Sequence, residues 1–282
     1  MGRIAVLNRF LAIIVVVSLA LAPSQAYADA LTGTERLPFK PGEKIIYDVS
    51  WLGIVAGEAR LEVVSQINFN GHNVQKLKIS STSTGWVRKI HRVDDATYSY
   101  FDVDNLHSHK VEIKISEGSY RKTKIMEFNQ EALTVKYTVN DKEPKEFDID
   151  PDSQDPLSSI FYLRTMRDKI KVGARLYIPI FDDKKKYELE VRILHKERLN
   201  LPKGMVDTIV VRPFLKSEGV FQRKGKMWIW LTDDEYLIPV QIRSKIAVGS
   251  FYATMKDSEG AKITYLPYPK KEIEKKTVAL AK

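Results

Sequence analysis

Residues 187–193 read Tyr187-Glu188-Leu189-Glu190-Val191-Arg192-Ile193, and this stretch decides the fold. Tyr187, Leu189, Val191 and Ile193 fall on one side of an extended chain, and Glu188, Glu190 and Arg192 fall on the other. Successive side chains of a strand point to opposite faces, so the pattern describes a strand with one dry and one wet face. The same period of two recurs on both sides of it. Ile45, Tyr47, Val49 and Trp51 alternate with Ile46, Asp48 and Ser50, and Ala59, Leu61 and Val63 alternate with Arg60 and Glu62. Leu133, Val135, Tyr137 and Val139 alternate with Thr134, Lys136 and Thr138, and Met205, Ile209 and Val211, then Phe251, Ala253 and Met255, continue the theme. Asn70-Gly71, Glu117-Gly118, Asn140-Asp141, Asp182-Asp183, Lys203-Gly204 and Asp233-Asp234 stand where hairpin turns are wanted. About a dozen strands are expected over residues 39–265, with no linker between them. The predicted fold class is mainly β: a single antiparallel meander forming an open or half β-barrel.

One helix interrupts the strands. Asp155 suits an N-cap and Pro156 the first helical position, which predicts a helix over 155–169. Leu157, Ile160, Phe161, Tyr162, Leu163, Met166 and Ile170 spread around the cylinder instead of forming one stripe. Such a helix is buried on several sides, as a plug or lid against a curved sheet. An ordinary helix packed on one sheet face fits the same pattern.

The 282-residue chain contains no cysteine, and it is 44% hydrophobic and 29% charged, a globular composition. The missing thiol excludes a disulfide scaffold, a thiolate metal site, a cysteine nucleophile and a lipid-bearing cysteine, and with the last a lipoprotein. Residues 1–28 read as a signal peptide. Arg3 and Arg9 accompany an apolar run from Phe10 to Ala22, Pro23 and Ser24 break it, and Ala26-Tyr27-Ala28 offers cleavage after Ala28. An uncleaved amino-terminal anchor is the alternative, although the run is shorter than the roughly 20 residues a span needs. Cleavage removes two arginines and no acid, taking the net charge from +9 to +7. No second run of spanning length follows, so the mature chain is expected in the periplasm without a transmembrane segment. Residues 29–38 read as a linker. Residues 266–282 read as a basic, loosely ordered tail, whose Lys270, Lys271, Lys275, Lys276 and Lys282 could touch anionic membrane or polysaccharide.

Catalytic signatures are missing: the chain has no G-x-S-x-G and no H-E-x-x-H. Asp94-Asp95, Asp182-Asp183 and Asp233-Asp234 are turn material before they are catalytic pairs. His107 and His109 would share one strand face, a spacing able to hold a metal. Glu112 points to the other face, so the two read as exposed strand histidines, with no metal and no cofactor expected. Modest charge spread through alternating Lys and Glu argues against nucleic acid. Lys122 and Lys124 on one face of residues 120–128, with Arg121 and Glu127 on the other, argue against a lipid-embedded barrel. There a mid-bilayer charge costs about 2–4 kcal/mol.

Several blocks carry a resemblance. They are Phe39-x-Pro41-Gly42-Glu43-Lys44 with Tyr47-Asp48-Val49-Ser50-Trp51, Gly53-Ile54-x-Ala56-Gly57-Glu58-Ala59, and Asp155-Pro156-Leu157-Ser158-Ser159. Tyr162-Leu163-Arg164, Ile178-Pro179-x-Phe181-Asp182, Val210 through Pro213, Trp230-Leu231-Thr232-Asp233-Asp234-Glu235 with Pro239-Val240 and Ser244-Lys245-Ile246, and Gly249-Ser250-Phe251 complete the set. Over about residues 39–260 the chain resembles an exported bacterial family, domain of unknown function 3108, which brings no catalytic residues with it. Its ending is similar, more loosely, to periplasmic lipoprotein carriers (LolA/LolB-like half-barrels), in which a helical lid covers an apolar cavity. That likeness implies a cavity here, although this chain has one clear helix where the carriers have several.

The expected role is a non-enzymatic binder or carrier of an amphiphilic, lipid-like envelope molecule. Trp51, Trp86, Phe161, Trp228 and Trp230 are the candidate cavity lining, each of which core packing would also explain. Trp228 and Trp230 share a face, and Ile229 and Leu231 take the other, so this strand must meet something besides solvent on one side. A structural or protein/glycan-interaction module in envelope assembly is the alternative, and a hydrolase acting on envelope material is a second.

Overall fold

A computed structural model describes residues 37–215, 226–245 and 249–268. The expected signal peptide, most of the linker and the tail beyond residue 268 lie outside the described residues. The strands are β1 (Lys44–Trp51), β2 (Ile54–Phe69), β3 (His72–Ser83), β4 (Asp94–Asp102), β5 (Ser108–Glu117), β6 (Tyr120–Asn129) and β7 (Thr134–Val139). They continue as β8 (Lys145–Asp148), β9 (Arg175–Asp182), β10 (Lys185–Leu201), β11 (Gly204–Leu215), β12 (Lys226–Thr232), β13 (Pro239–Lys245) and β14 (Ser250–Glu259). All fourteen join one antiparallel sheet, in the order β8-β7-β6-β5-β4-β3-β2-β1-β14-β13-β12-β11-β10-β9. The sheet is not closed by strand pairing, so the expected open half-barrel is what the chain forms. Each turn named from sequence falls between consecutive strands, and Asn70, Asn140, Asp141 and Asp183 take the positive φ that tight hairpins need.

The two sheet edges are linked through the segment between β8 and β9. Gln154 N donates to Pro179 O at 2.8 Å and Phe181 N donates to Gln154 O at 2.9 Å, so residue 154 occupies part of the β9 edge. Asp183 accepts from Lys124 Nζ and Tyr137 Oη, at 2.9 and 2.8 Å, and thereby ties the β9–β10 turn to β6 and β7. Phe181 packs among Val111, Met126, Phe128 and Val135 of the opposite arm.

A short helix absent from the sequence reading, α1 (Gly85–Ile90), follows β3. The expected helix is α2 (Pro156–Arg164), and a 3-10 turn at Arg167–Lys169 fills the remainder of the predicted span. The helix tightens early because Thr165 N and Met166 N bond back to Tyr162 O and Leu163 O, three residues before each. Polar groups fix both its ends. Asp155 Oδ1 accepts from Leu157 N and Ser158 N, while Ser158 Oγ accepts from Asp155 N, a capping box. Asp155 Oδ2 also accepts the hydroxyls of Ser99 and Ser108, on β4 and β5. At the other end the fully buried Arg164 forks onto both carboxylate oxygens of Glu43, at 2.5 and 3.0 Å, and donates to Tyr236 O and Pro38 O. Its guanidinium lies over the rings of Phe39 and Phe161. Between these ends Phe161 packs edge-on to Phe39 and joins Leu157, Phe101, Ile45, Tyr47 and Leu61 in one buried cluster.

Gly57 on β2 lies so close to β3 that a Cβ there would stand 2.5 Å from Thr82 O, a backbone atom that cannot swing away. Gly57→Ala is therefore expected to cost about 1–3 kcal/mol by overpacking, read from the urea unfolding midpoint. An unchanged midpoint would mean that the two strands separate without penalty.

Candidate ligand-binding face

Of the five aromatic residues singled out from sequence, Phe161 and Trp230 belong to one buried cluster, against whose margin Trp228 packs, and Trp51 and Trp86 lie outside it. Phe161 is core. Trp51 stacks on Phe251 with ring centroids 5.9 Å apart. Trp86 projects from α1 and is 58% exposed. Trp230 is buried, its indole N–H donates to Glu197, and it packs with Val206, Val210 and Leu201 of the long β10–β11 hairpin. Trp228 is half-buried. Ile229 and Leu231, on the opposite face of β12, pack with Leu163 of α2, Ile209 and Val211. The doubly apolar strand thus has the helix-side core on one face and, for Trp230, the hairpin on the other. Trp228 remains.

The other members of its row come from five strands through register. Trp228 pairs with Arg243, Arg243 with Tyr252, and Tyr252 with Ser50. On the other side Val211 pairs with Ile229, which sets Arg212 beside Trp228, and Arg212 itself pairs with Arg192. Directly paired residues share a face, so these side chains form a row across the sheet. The guanidinium carbons of Arg212 and Arg243 each lie 5.2 Å from the Trp228 ring, with one arginine on each neighbouring strand. Arg243 also lies over Tyr252 at 5.5 Å, Arg212 over Phe214 at 4.2 Å, and Arg192 over Phe214 at 3.8 Å. Cation and ring alternate along the whole row.

The charges are unevenly answered. Arg192 is held by Glu190, to which Arg175 also reaches. Among the described residues Arg212 and Arg243 have no carboxylate partner, and Arg243 Nε is buried without a hydrogen-bond acceptor. Burial lowers the Arg212 guanidinium from its ordinary value, and repulsion from Arg192 adds to the effect. Cation–ring contact is worth about 0.5–2 kcal/mol each, but it leaves the guanidinium N–H groups without acceptors. Two cations held face-on to an indole can therefore receive an anion, each presenting a planar fork suited to phosphate or carboxylate oxygens.

The row ends at an apolar rim. Ser50 pairs with Val55, and Leu52, Ile54 and Val55 at the β1–β2 turn are 59%, 52% and 49% exposed. Thr84 N donates to Ala56 O, which sets the start of α1, with exposed Trp86 and Ile90, beside that turn.

The acidic pairs have structural partners, and Asp94-Asp95, expected as a turn, instead opens strand β4, paired with Thr82 and Ser81 of β3. Asp234 Oδ1 accepts from Thr232 Oγ1, Tyr236 N and Leu237 N, closing the β12–β13 connection, and Asp94 is held by Arg88 and Arg92. The histidines differ from expectation. His107 is buried, lies just before β5 and does not stand exposed on it, and His109 is turned in against Asp102. The acid that the sequence reading sought on the same strand comes from β4.

The profile of a protein family matches residues 46–256, and that family is described only as a protein of unknown function, DUF3108. The chain is a DUF3108 protein. The barrel-like fold of this DUF3108 chain is similar to that of a solved protein from Brucella abortus, a beta-barrel-like domain of unknown function DUF1849. The two are 9% identical, with a TM-score of 0.52 over 80% of this chain and 98% of that one. A hypothetical protein from Chlamydia trachomatis, CT021, matches at 9% identity and a TM-score of 0.34, over 82% of this chain and 93% of its own. No curated protein matches the DUF3108 chain. Among the described residues no helix is long and apolar enough to cross a membrane.

Proposed function

We propose that this DUF3108 protein is an exported, non-enzymatic binder of an anionic amphiphile in the periplasm, and that it takes its ligand on the Trp228 face. One observation carries the reading: Arg212 and Arg243 flank Trp228 without a carboxylate to neutralise them among the described residues. A phosphate or carboxylate headgroup would supply the missing acceptors, and the row leads from there to the apolar rim at Val55, where an acyl chain could lie. Phe161 of α2 is fully buried whereas Trp228 is half-buried, which favours the Trp228 face as the more accessible of the two. An edge-docking module is less favoured, because residue 154 already bonds part of the β9 edge.

The test is co-flotation of the chain lacking residues 1–28 with phosphatidylglycerol or phosphatidylcholine vesicles. Binding is expected to the anionic vesicles alone, and the paired substitution Arg212→Gln and Arg243→Gln should weaken it about tenfold or more, since a hydrogen bond to a charged group is worth roughly 1.5–3 kcal/mol. Equal binding to both lipids, or an unchanged affinity in the folded double variant, would overturn the reading. Binding to dextran sulfate without binding to lipid would move the assignment to a glycan-interaction module.

A further inference from the structure

The ends of two neighbouring hairpins meet at a cluster that the Trp228 face does not involve. His72 opens β3 directly after the Asn70-Gly71 turn, and Asp102 closes β4. Val74 pairs with Asp102, so the two strand ends lie side by side. The register slips between Tyr100/Lys110 and Phe101/Ser108, which leaves His109 as the extra residue of a β-bulge. Bulges re-aim side chains, and this one turns the His109 ring onto Asp102.

Three imidazole nitrogens surround one carboxylate oxygen. From Asp102 Oδ2, His109 Nε2 is 2.7 Å away, His72 Nδ1 3.4 Å and His107 Nε2 3.9 Å. The His72 and His109 rings are 4.2 Å apart, and those of His107 and His109 are 5.1 Å apart. Three of the chain's five histidines thus converge on a single acid that is 1% exposed. The rest of Asp102 is already committed: Oδ1 accepts from Asp104 N and Asn105 N, and Asn105 Nδ2 reaches Oδ2 at 3.3 Å. This turn holds the carboxylate rigidly with Oδ2 aimed at the rings. Burial alone would raise the Asp102 carboxyl, but the His109 bond and the turn N–H groups outweigh it and hold the group well below the usual carboxylate range. His107 is also more than nine-tenths buried, and its Nδ1 has no hydrogen-bond partner, the nearest acid being Asp152 at 3.6 Å. The His107 nitrogen that faces Asp102 is Nε2, at 3.9 Å, so this ring backs the cluster from outside hydrogen-bond distance, and His72, Asp102 and His109 make up its centre.

We propose that His72, Asp102 and His109, whose donor atoms all lie within 4.8 Å of one another, form a binding site for a divalent transition metal of the zinc class. Imidazole and carboxylate donors suit zinc, cobalt, nickel or copper, whereas calcium and magnesium take oxygen ligands. Donors on a tetrahedral ion with bonds near 2.0 Å lie about 3.3 Å from one another, close to the His72–Asp102 spacing. The His109 contact needs to open by about half an ångström, which an ion replacing its shared proton would bring about. His72 is 47% exposed at the side chain, so the site opens to solvent on that side. Bound metal would clamp the β2–β3 and β4–β5 hairpins together.

The test is titration of the untagged chain lacking residues 1–28 with Co²⁺, followed by visible absorption and calorimetry, and competition by Zn²⁺. The expected result is one equivalent bound, with the strong ligand-field bands of a low-coordinate cobalt that Zn²⁺ abolishes, and a rise in thermal midpoint that a chelator reverses. His72→Ala lies at the exposed rim and should leave the fold intact, yet weaken binding by more than the 10–100-fold typical of losing an outer-shell partner. His195→Ala, a surface histidine beside Glu197, should change nothing. The proposal is overturned if Co²⁺ gives no such bands, or if folded His72→Ala and His109→Gln variants bind as the unaltered chain does.

Discussion

Replacing Arg164 by methionine is expected to destabilise the protein by about 3–5 kcal/mol, the cost of leaving one partner of a buried ion pair alone. Arg164 is fully inaccessible and donates to four acceptor atoms, on Glu43, Pro38 and Tyr236. Those acceptors belong to the segment before β1 and to the β12–β13 connection, so one side chain fastens α2 to two distant parts of the chain. In the variant Glu43 stays 5% exposed with no guanidinium opposite it, and two backbone carbonyls lose their donor. For a domain of this size the loss corresponds to a fall of roughly 6–20 °C in the thermal midpoint. A double-mutant cycle separates the pair from its desolvation cost. Glu43→Gln combined with Arg164→Met should cost clearly less than the two single changes added together, since no lone charge then remains buried. A loss below about 1 kcal/mol for Arg164→Met would show that the charge escapes to solvent.

Asp155 offers the second large effect, because one carboxylate serves both as helix cap and as anchor for β4 and β5. Asp155→Ala removes the acceptor for two backbone N–H groups and for the Ser99 and Ser108 hydroxyls, all in a buried setting. Loss of a cap costs about 0.5–2 kcal/mol and each stranded buried group about 1–3 kcal/mol, so a total near 3–5 kcal/mol is expected. Asp155→Asn keeps a capping oxygen and should cost far less. Burial raises the Asp155 carboxyl, against the downward pull of its hydroxyl and N–H donors. With the folded value above the unfolded one, this group's contribution is fully present below the unfolded pKa near 3.9 and fades as pH rises through the folded value. Urea unfolding across that range should therefore show a pH dependence in the wild type that flattens in Asp155→Asn. Equal destabilisation by Ala and Asn at neutral pH would rule out the capping role.

What could be read beforehand was whatever a single strand or turn encodes by itself. The alternation in residues 187–193 and 45–51 gave strands because facing side chains repeat every second residue, and Asp155-Pro156 marked a helix start because the cap is a local bond. Contacts made across the sheet were illegible. Arg212 and Arg243 meet Trp228 only because β11, β12 and β13 align in one register, and no spacing along the chain records that. The histidines failed for the same reason: their acid lies on β4, and a bulge at His109 breaks the period-two rule that assigned the faces. Arg164 was hidden differently. A charged residue at the end of a helix is ordinarily a surface residue, and its burial depends on Glu43, which lies 121 positions away.

The middle of the sheet has a consequence for how the protein is made. β1 pairs with β14, and Lys44 meets Glu259 across 215 positions. A nascent chain is delivered amino end first, and β1 to β8 can zip together as successive local hairpins, followed by β9 to β14 as a second ladder. Until Ser250–Glu259 arrives, the free side of β1 is an open strand edge, which invites pairing with other chains. Completion thus hinges on one late weld between two prefabricated halves, and a chain truncated before β14 would leave raw edges on both β1 and β13.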